Sequence, residues 1–147
     1  MPKDLTKLQF NPEVLFENIN KPLSSLGVIA KRGIVRGINE RKKPDGSPQT
    51  RNKKSTIDRK GHNHPLIGGA KDSPSLGRVT TYGHKVEVGK RQTKLWVKRK
   101  RATAAYWLEN REKYPRYPFF GISKKTRAEM DQRMVRYFRN MLRRLFT

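Results

Sequence analysis

Tyr114-Pro115-Arg116-Tyr117-Pro118-Phe119-Phe120-Gly121-Ile122-Ser123 is the stretch that decides how the C-terminal part of this chain is built. Its two prolines bar it from a helix interior, because each lacks an N–H and holds the residue before it extended. The adjacent Phe119 and Phe120 need burial. Gly121 permits a turn, and Ser123 can cap a new helix through its side-chain oxygen. In residues 124–146 the apolar side chains fall at Met130, Met134, Val135, Phe138, Met141, Leu142 and Leu145. That is the 3.6-residue stripe of an amphipathic helix. The run thus reads as an aromatic plug, with Pro118, Phe119 and Phe120 as its contact residues, that anchors a long terminal helix. The commoner use of such a helix is to close its own core.

Working outward, residues 102–110 contain Ala104, Ala105, Tyr106, Trp107 and Leu108, the pattern of a short helix under the plug. Before it lie three β-prone runs. Residues 78–82 are the first, and Lys85-Val86-Glu87-Val88, alternating charge with valine, is the second. Lys94-Leu95-Trp96-Val97 is the third, and Gly83-His84 is a candidate turn. These runs fit a small antiparallel sheet with one wet face. Farther upstream, Leu23, Leu26, Ala30, Ile34 and Ile38 have helical spacing. Gly27, Gly33 and Gly37 weaken that helix by roughly 1 kcal/mol each relative to alanine, or else allow another backbone to approach closely. Asn11-Pro12 is a candidate start for a further short helix. Residues 41–61 are almost free of large apolar side chains and contain the turn signal Pro44-Asp45-Gly46-Ser47-Pro48. Gly68-Gly69 and Ser73-Pro74-Ser75 extend the irregular composition. An extended basic loop or arm over about 41–77 is expected, with residues 41–61 disordered in the free subunit and ordered in an assembly.

The 147 residues suit one domain with a modest core, since 33% of the chain is apolar and 32% charged. No run approaches the roughly 18 apolar residues of a membrane span, and the first residues lack a secretory apolar region. There is no cysteine, so disulfides and cysteine-based zinc sites are excluded. The formal net charge is +23. Residues 1–30 hold three lysines against three acids, so the whole excess lies in 31–147, where 32 basic residues face nine acids. Such a field attracts polyanions and acidic protein surfaces.

Several constellations bear on chemistry. His62-Asn63-His64 brings two histidines close together, but a metal needs further ligands and no acidic cluster accompanies them. No Gly-x-x-x-x-Gly-Lys phosphate loop is present, and the acids are scattered. The expectation is a protein that is not an enzyme, with no catalytic, metal or cofactor residue. Lys98-Arg99-Lys100-Arg101 is the densest basic run and can grip phosphates by charge. The terminal helix carries Arg127, Arg133, Arg136, Arg139, Arg143 and Arg144. Glu129 and Arg133 stand at favourable i,i+4 spacing, while most of these arginines lack such a partner. Lys98, Arg99, Lys100, Arg101, Arg116, Arg136, Arg143 and Arg144 are therefore the candidate contacts to an anionic partner, beside the plug residues.

The order of these segments resembles the virion morphogenesis, or tail-completion, family of contractile-tailed phages. The likeness covers about residues 30–146. It is carried by Glu40-Arg41-Lys42-Lys43-Pro44-Asp45-Gly46-Ser47-Pro48, Arg59-Lys60-Gly61 with Pro65-Leu66-Ile67, Val86-Glu87-Val88-Gly89, Ala105-Tyr106, and above all Pro118 to Ser123. Gly68-Gly69-Ala70 and Trp107 depart from the family pattern. The resemblance implies a structural protein at the head–tail junction of the virion, made in the host cytoplasm. It also implies a ring, sixfold or twelvefold, docked on portal or connector and tail proteins, with non-specific contact to packaged DNA possible. The expected fold class is α+β: an N-terminal helix, a small antiparallel sheet, the basic arm and the long C-terminal helix. The rival reading is a basic nucleic-acid-binding module for RNA or DNA. A stacking platform would interleave aromatics with the basic run, and residues 98–101 contain none.

Overall fold

The computed structural model describes residues 16, 18–64, 66, 76–98, 101, 102, 105 and 118–146. Helix α1 (Asn20–Asn39) follows the expected apolar spacing and buries Leu23, Ala30, Ile34 and Ile38 on one face. Pro22 falls in its first turn, where a missing N–H costs nothing. The helix ends in a Schellman motif: Lys42 N–H donates to the Gly37 carbonyl and Arg41 N–H to that of Ile38. Arg41 takes the left-handed conformation at the stop, with φ at 55°.

Residues 41–49 then double back. The Lys43 and Gln49 N–H groups donate to the Ser47 and Arg41 carbonyls, and Lys42 bridges Pro48. Hydrogen bonds from the Ser47 hydroxyl and N–H close the turn and hold the Asp45 carboxyl below the usual carboxylate range. Helix α2 (Lys54–Lys60) follows, ending at Gly61 with φ at 76°. The first part of the expected arm is thus a structured turn and a short helix. Local hydrogen bonds order it without apolar burial, a contribution that composition does not display.

Strands β1 (Tyr82–Glu87) and β2 (Gln92–Val97) pair antiparallel, with Tyr82 opposite Val97 and Glu87 opposite Gln92. Three β-prone runs therefore yield two strands. Val79–Thr81 is a 3-10 turn, and the chain reverses at Val88–Lys90 and Arg91. Gly83-His84 lies inside β1 rather than in a turn. The reason is cross-strand: Gly83 sits opposite Trp96, whose indole occupies the space a Cβ would need. Thr93, Leu95 and Val97 alternate with the more exposed Gln92, Lys94 and Trp96, giving the expected wet face. Against the inner face packs α1.

Helix α3 (Lys124–Phe146) completes an α+β fold. Its start is the expected Ser123 cap: Thr126 N–H donates to Ser123 Oγ at 3.2 Å. The core gathers Ile34, Ile38, Leu66, Leu76, Tyr82, Ala105 and Phe119. At its centre the Tyr82 hydroxyl donates to the Leu76 carbonyl at 2.5 Å. Arg101, Ala102 and Ala105 are helical, in keeping with a short helix under the plug. The rest of 102–110 and the candidate start at Asn11-Pro12 lie outside the described residues.

Two of the three glycines of α1, Gly27 and Gly33, have a contact role rather than a fraying one. A Cβ on Gly27 would strike the His84 ring, and one on Gly33 would strike the Thr126 side chain. What approaches is therefore side chain, from β1 and from α3, not another backbone. His84 also shares a hydrogen bond with Ser24. Burial and then the Lys31 charge hold its imidazole below the ordinary histidine pKa. His64 is lowered in the same way, by burial and then by Arg41, His62 and Lys60.

A depressed histidine pKa means that the unfolded chain binds the proton more tightly. Stability is then fully present above the ordinary value and falls as pH drops through it. Melting temperature should decline as pH falls below about 6.5. The His64→Asn, His84→Gln double variant should show a flatter profile over that range. An unchanged slope in thermal melts would assign the effect to other groups.

Candidate interaction surface

The plug divides its two aromatic rings. Phe119 is 3% exposed and belongs to the core, whereas Phe120 is 38% exposed. The expectation that both rings are buried is therefore corrected. Phe120 stacks on Tyr82 with ring centres 6.3 Å apart, and its outer side lines an apolar cleft of about 420 Å³ with Leu23, Leu26, Leu95, Ile122 and Met130. The plug is held from below by the 41–49 turn. Gln49 Nε2 donates to the Pro118 carbonyl at 2.5 Å, and Gly121 lies so close to Pro44 that a Cβ there would meet the proline ring at 2.8 Å. Gly121 is thus needed for this approach; its φ is not positive.

Where α3 crosses α1, a polar clamp surrounds Thr126, which is 1% exposed. Arg36 donates from Nη1 to Glu129 Oε1 at 2.8 Å and from Nη2 to Thr126 Oγ1 at 3.1 Å. Thr126 Oγ1 and Ser123 Oγ share a further hydrogen bond at 2.9 Å. Glu129 accordingly serves Arg36 and not the expected Arg133, because a half-buried guanidinium already fixed by its second nitrogen on Thr126 outcompetes an exposed helix pair. Arg133 turns instead to Ser25 Oγ.

Beyond the clamp the helix offers two unlike faces. One is a groove of about 350 Å³ lined by Lys21, Arg133, Arg136 and Arg144, with Asn18 and Asn140 among its polar groups. Among the described residues no carboxylate lines it. The other is an apolar groove lined by Val135, Phe138, Leu142 and Phe146, with Arg139 and Arg143 along one edge. Val135 is 54% exposed, Leu142 39% and Phe146 66%. Phe138 in the same groove is half-buried, its ring edge-on to Phe16 with centres 6.2 Å apart.

The predicted contacts therefore separate. Arg136 and Arg144 share the basic groove, and Arg143 borders the apolar one. Lys98 is exposed at the end of β2, with its N–H donating to the Thr81 carbonyl, and Arg101 is half-buried. Lys98 and Arg101 line neither α3 groove. Arg99, Lys100 and Arg116 lie outside the described residues. Lys21 and Phe146 are the additions: Phe146 extends the visible helical stripe by one turn, whereas nothing near Lys21 in the sequence marks it.

His62 and His64 pack edge to face with ring centres 5.6 Å apart, and His64 Nε2 faces Arg41 Nη2 at 3.2 Å. Among the described residues no three histidine or acidic side chains gather where they could hold a metal ion. No described helix is long and apolar enough to cross a membrane. Comparison with protein-family models, with curated proteins and with solved structures gives no match to this chain.

Proposed function

We propose that the protein is a structural assembly subunit that acts by forming interfaces and performs no chemistry. The observation that carries this reading is the exposed apolar half of α3, where Val135, Leu142 and Phe146 project beyond the core. Apolar patches on such a polar chain are the usual mark of an interaction site. The sequence resemblance supplies the setting: the head–tail junction of a contractile-tailed phage, in a sixfold or twelvefold ring against portal or connector and tail proteins. The test is direct. Deleting the gene should leave filled heads and finished tails that fail to join, and the chain should be found in purified virions at a multiple of six. Normal, infectious particles without the chain would overturn the virion reading.

A second reading rests on the basic groove of Lys21, Arg133, Arg136 and Arg144. A nucleic-acid module would bind duplex DNA with a steep log–log salt dependence and little sequence preference. The assembly reading is preferred because phosphate binding makes no use of an apolar groove.

A further inference from the structure

We propose that residues 5–15 of this chain occupy the apolar groove of α3 as a strap, covering that face in the lone subunit and yielding it to a neighbouring subunit on assembly. The covering role rests on the assembly reading; the contact itself does not. The stripe on α3 is wider than one packing face requires. At about 100° per residue, its apolar positions from Met130 to Phe146 span roughly 160°, against the ~100° that a surface helix turns to its core. Met130, Met134 and Met141, on one side of that arc, are half-buried. Val135, Leu142 and Phe146, on the other, are exposed.

The chain itself leads to this face. Its described part begins at Phe16, which is half-buried. The Phe16 ring meets Phe138 edge-on with centres 6.2 Å apart, and the Arg91 guanidinium lies 3.6 Å from its centre. Phe138 lines the groove, so the residues before Phe16 start from its floor. From Phe138 the groove continues to Phe146, about 12 Å of helix. The stretch from Leu5 to Phe16 covers about 16 Å even when helical, and more when extended. It carries the anchors such a floor accepts: Leu5, Leu8, Phe10, Val14 and Leu15. Its charge suits the site as well. Residues 1–15 hold two lysines and two acids, so no excess positive charge opposes Arg139 and Arg143 at the groove edge.

A second copy of this chain is the competing occupant, and the two differ by mass action. A tethered segment meets the groove at an effective concentration on the order of millimolar, whereas a free subunit meets it only at its bulk concentration. The strap therefore holds the groove in dilute solution. A ring that fixes a neighbour against the same face removes that advantage.

The chain contains no cysteine, so a pair of introduced cysteines reports proximity without background. In the full chain at micromolar concentration, Leu8→Cys with Leu142→Cys should close an intramolecular disulfide on mild oxidation. It should do so at least about tenfold faster than Leu8→Cys with Arg127→Cys, which places the second thiol about 22 Å back along the helix. Equal rates would overturn the contact. Disulfides that form between molecules would overturn it too, and would assign the groove to a second copy. The covering role has its own readout. Leu8→Ser with Phe10→Ser, in the full chain, should bind a hydrophobic dye more strongly. This variant should also self-associate at a concentration at least about tenfold lower than the unaltered chain, by light scattering. Adding Leu142→Ser should reverse both changes, with circular dichroism verifying the fold. Unchanged dye binding and mass would overturn the covering role. The two levels fail separately. A fast intramolecular disulfide in a chain absent from virions keeps the strap and removes the phage setting; a virion subunit with equal disulfide rates does the reverse.

Discussion

Phe119→Ala should destabilise the fold by about 3–5 kcal/mol, while Phe120→Ala should cost distinctly less. Phe119 is 3% exposed and touches the core from the point where the chain enters α3. Truncating it removes the ring and leaves a cavity that the surrounding side chains cannot fill. They are pinned by the Tyr82–Leu76 hydrogen bond and by the turn under Pro118. Phe120 has its outer side already in an open cleft, so its loss removes stacking on Tyr82 without creating a closed void. Chemical denaturation of the two variants measures the difference. Equal and small effects would mean that the plug does not hold the C-terminal helix. For a fold this size a loss of that order is a large fraction of total stability.

Gly33→Ala should destabilise by about 1–3 kcal/mol, although alanine is the better helix former by roughly 1 kcal/mol. A Cβ at this position collides with Thr126. That side chain cannot swing aside, since Arg36 and Ser123 both hold its hydroxyl. The helices must separate, which stretches the Arg36–Glu129 ion pair as well. Gly37→Ala, one turn on, provides the opposite sign. Its nearest neighbour is the Lys42 carbonyl oxygen at an ordinary 3.5 Å, so the propensity gain remains. Melting temperatures should fall for the first variant and hold or rise for the second. If both rise, α1 and α3 are not in contact at Gly33.

These outcomes bear on how the proposed interaction surface is presented. The clamp at Thr126 fixes where α3 leaves the core, and the helix then carries its apolar groove and its basic groove past α1. Loosening the clamp should therefore impair docking without touching a groove residue.

Local regularities of the sequence determined a good deal. The spacing of Leu23, Ala30, Ile34 and Ile38 set α1, and the stripe from Met130 to Leu145 set α3, because a helix writes its period directly into the order of side chains. Ser123 marked the start of α3, and the alternation in 92–97 marked a strand, for the same reason. The α+β class follows from those pieces. What they contact was decided only in three dimensions. Glu129 pairs with Arg36 across 93 positions instead of with Arg133 four residues on. Gly83 reads as a turn until Trp96 is placed opposite it. Gly27 and Gly33 read as weak points of a helix until His84 and Thr126 fill the space they leave. The division of the α3 stripe into a packed half and a free half is of the same kind. Its residues are equally apolar, and nothing in their order tells which will meet the core. That depends on the angle at which α3 leaves the plug, set by packing against residues remote in the chain.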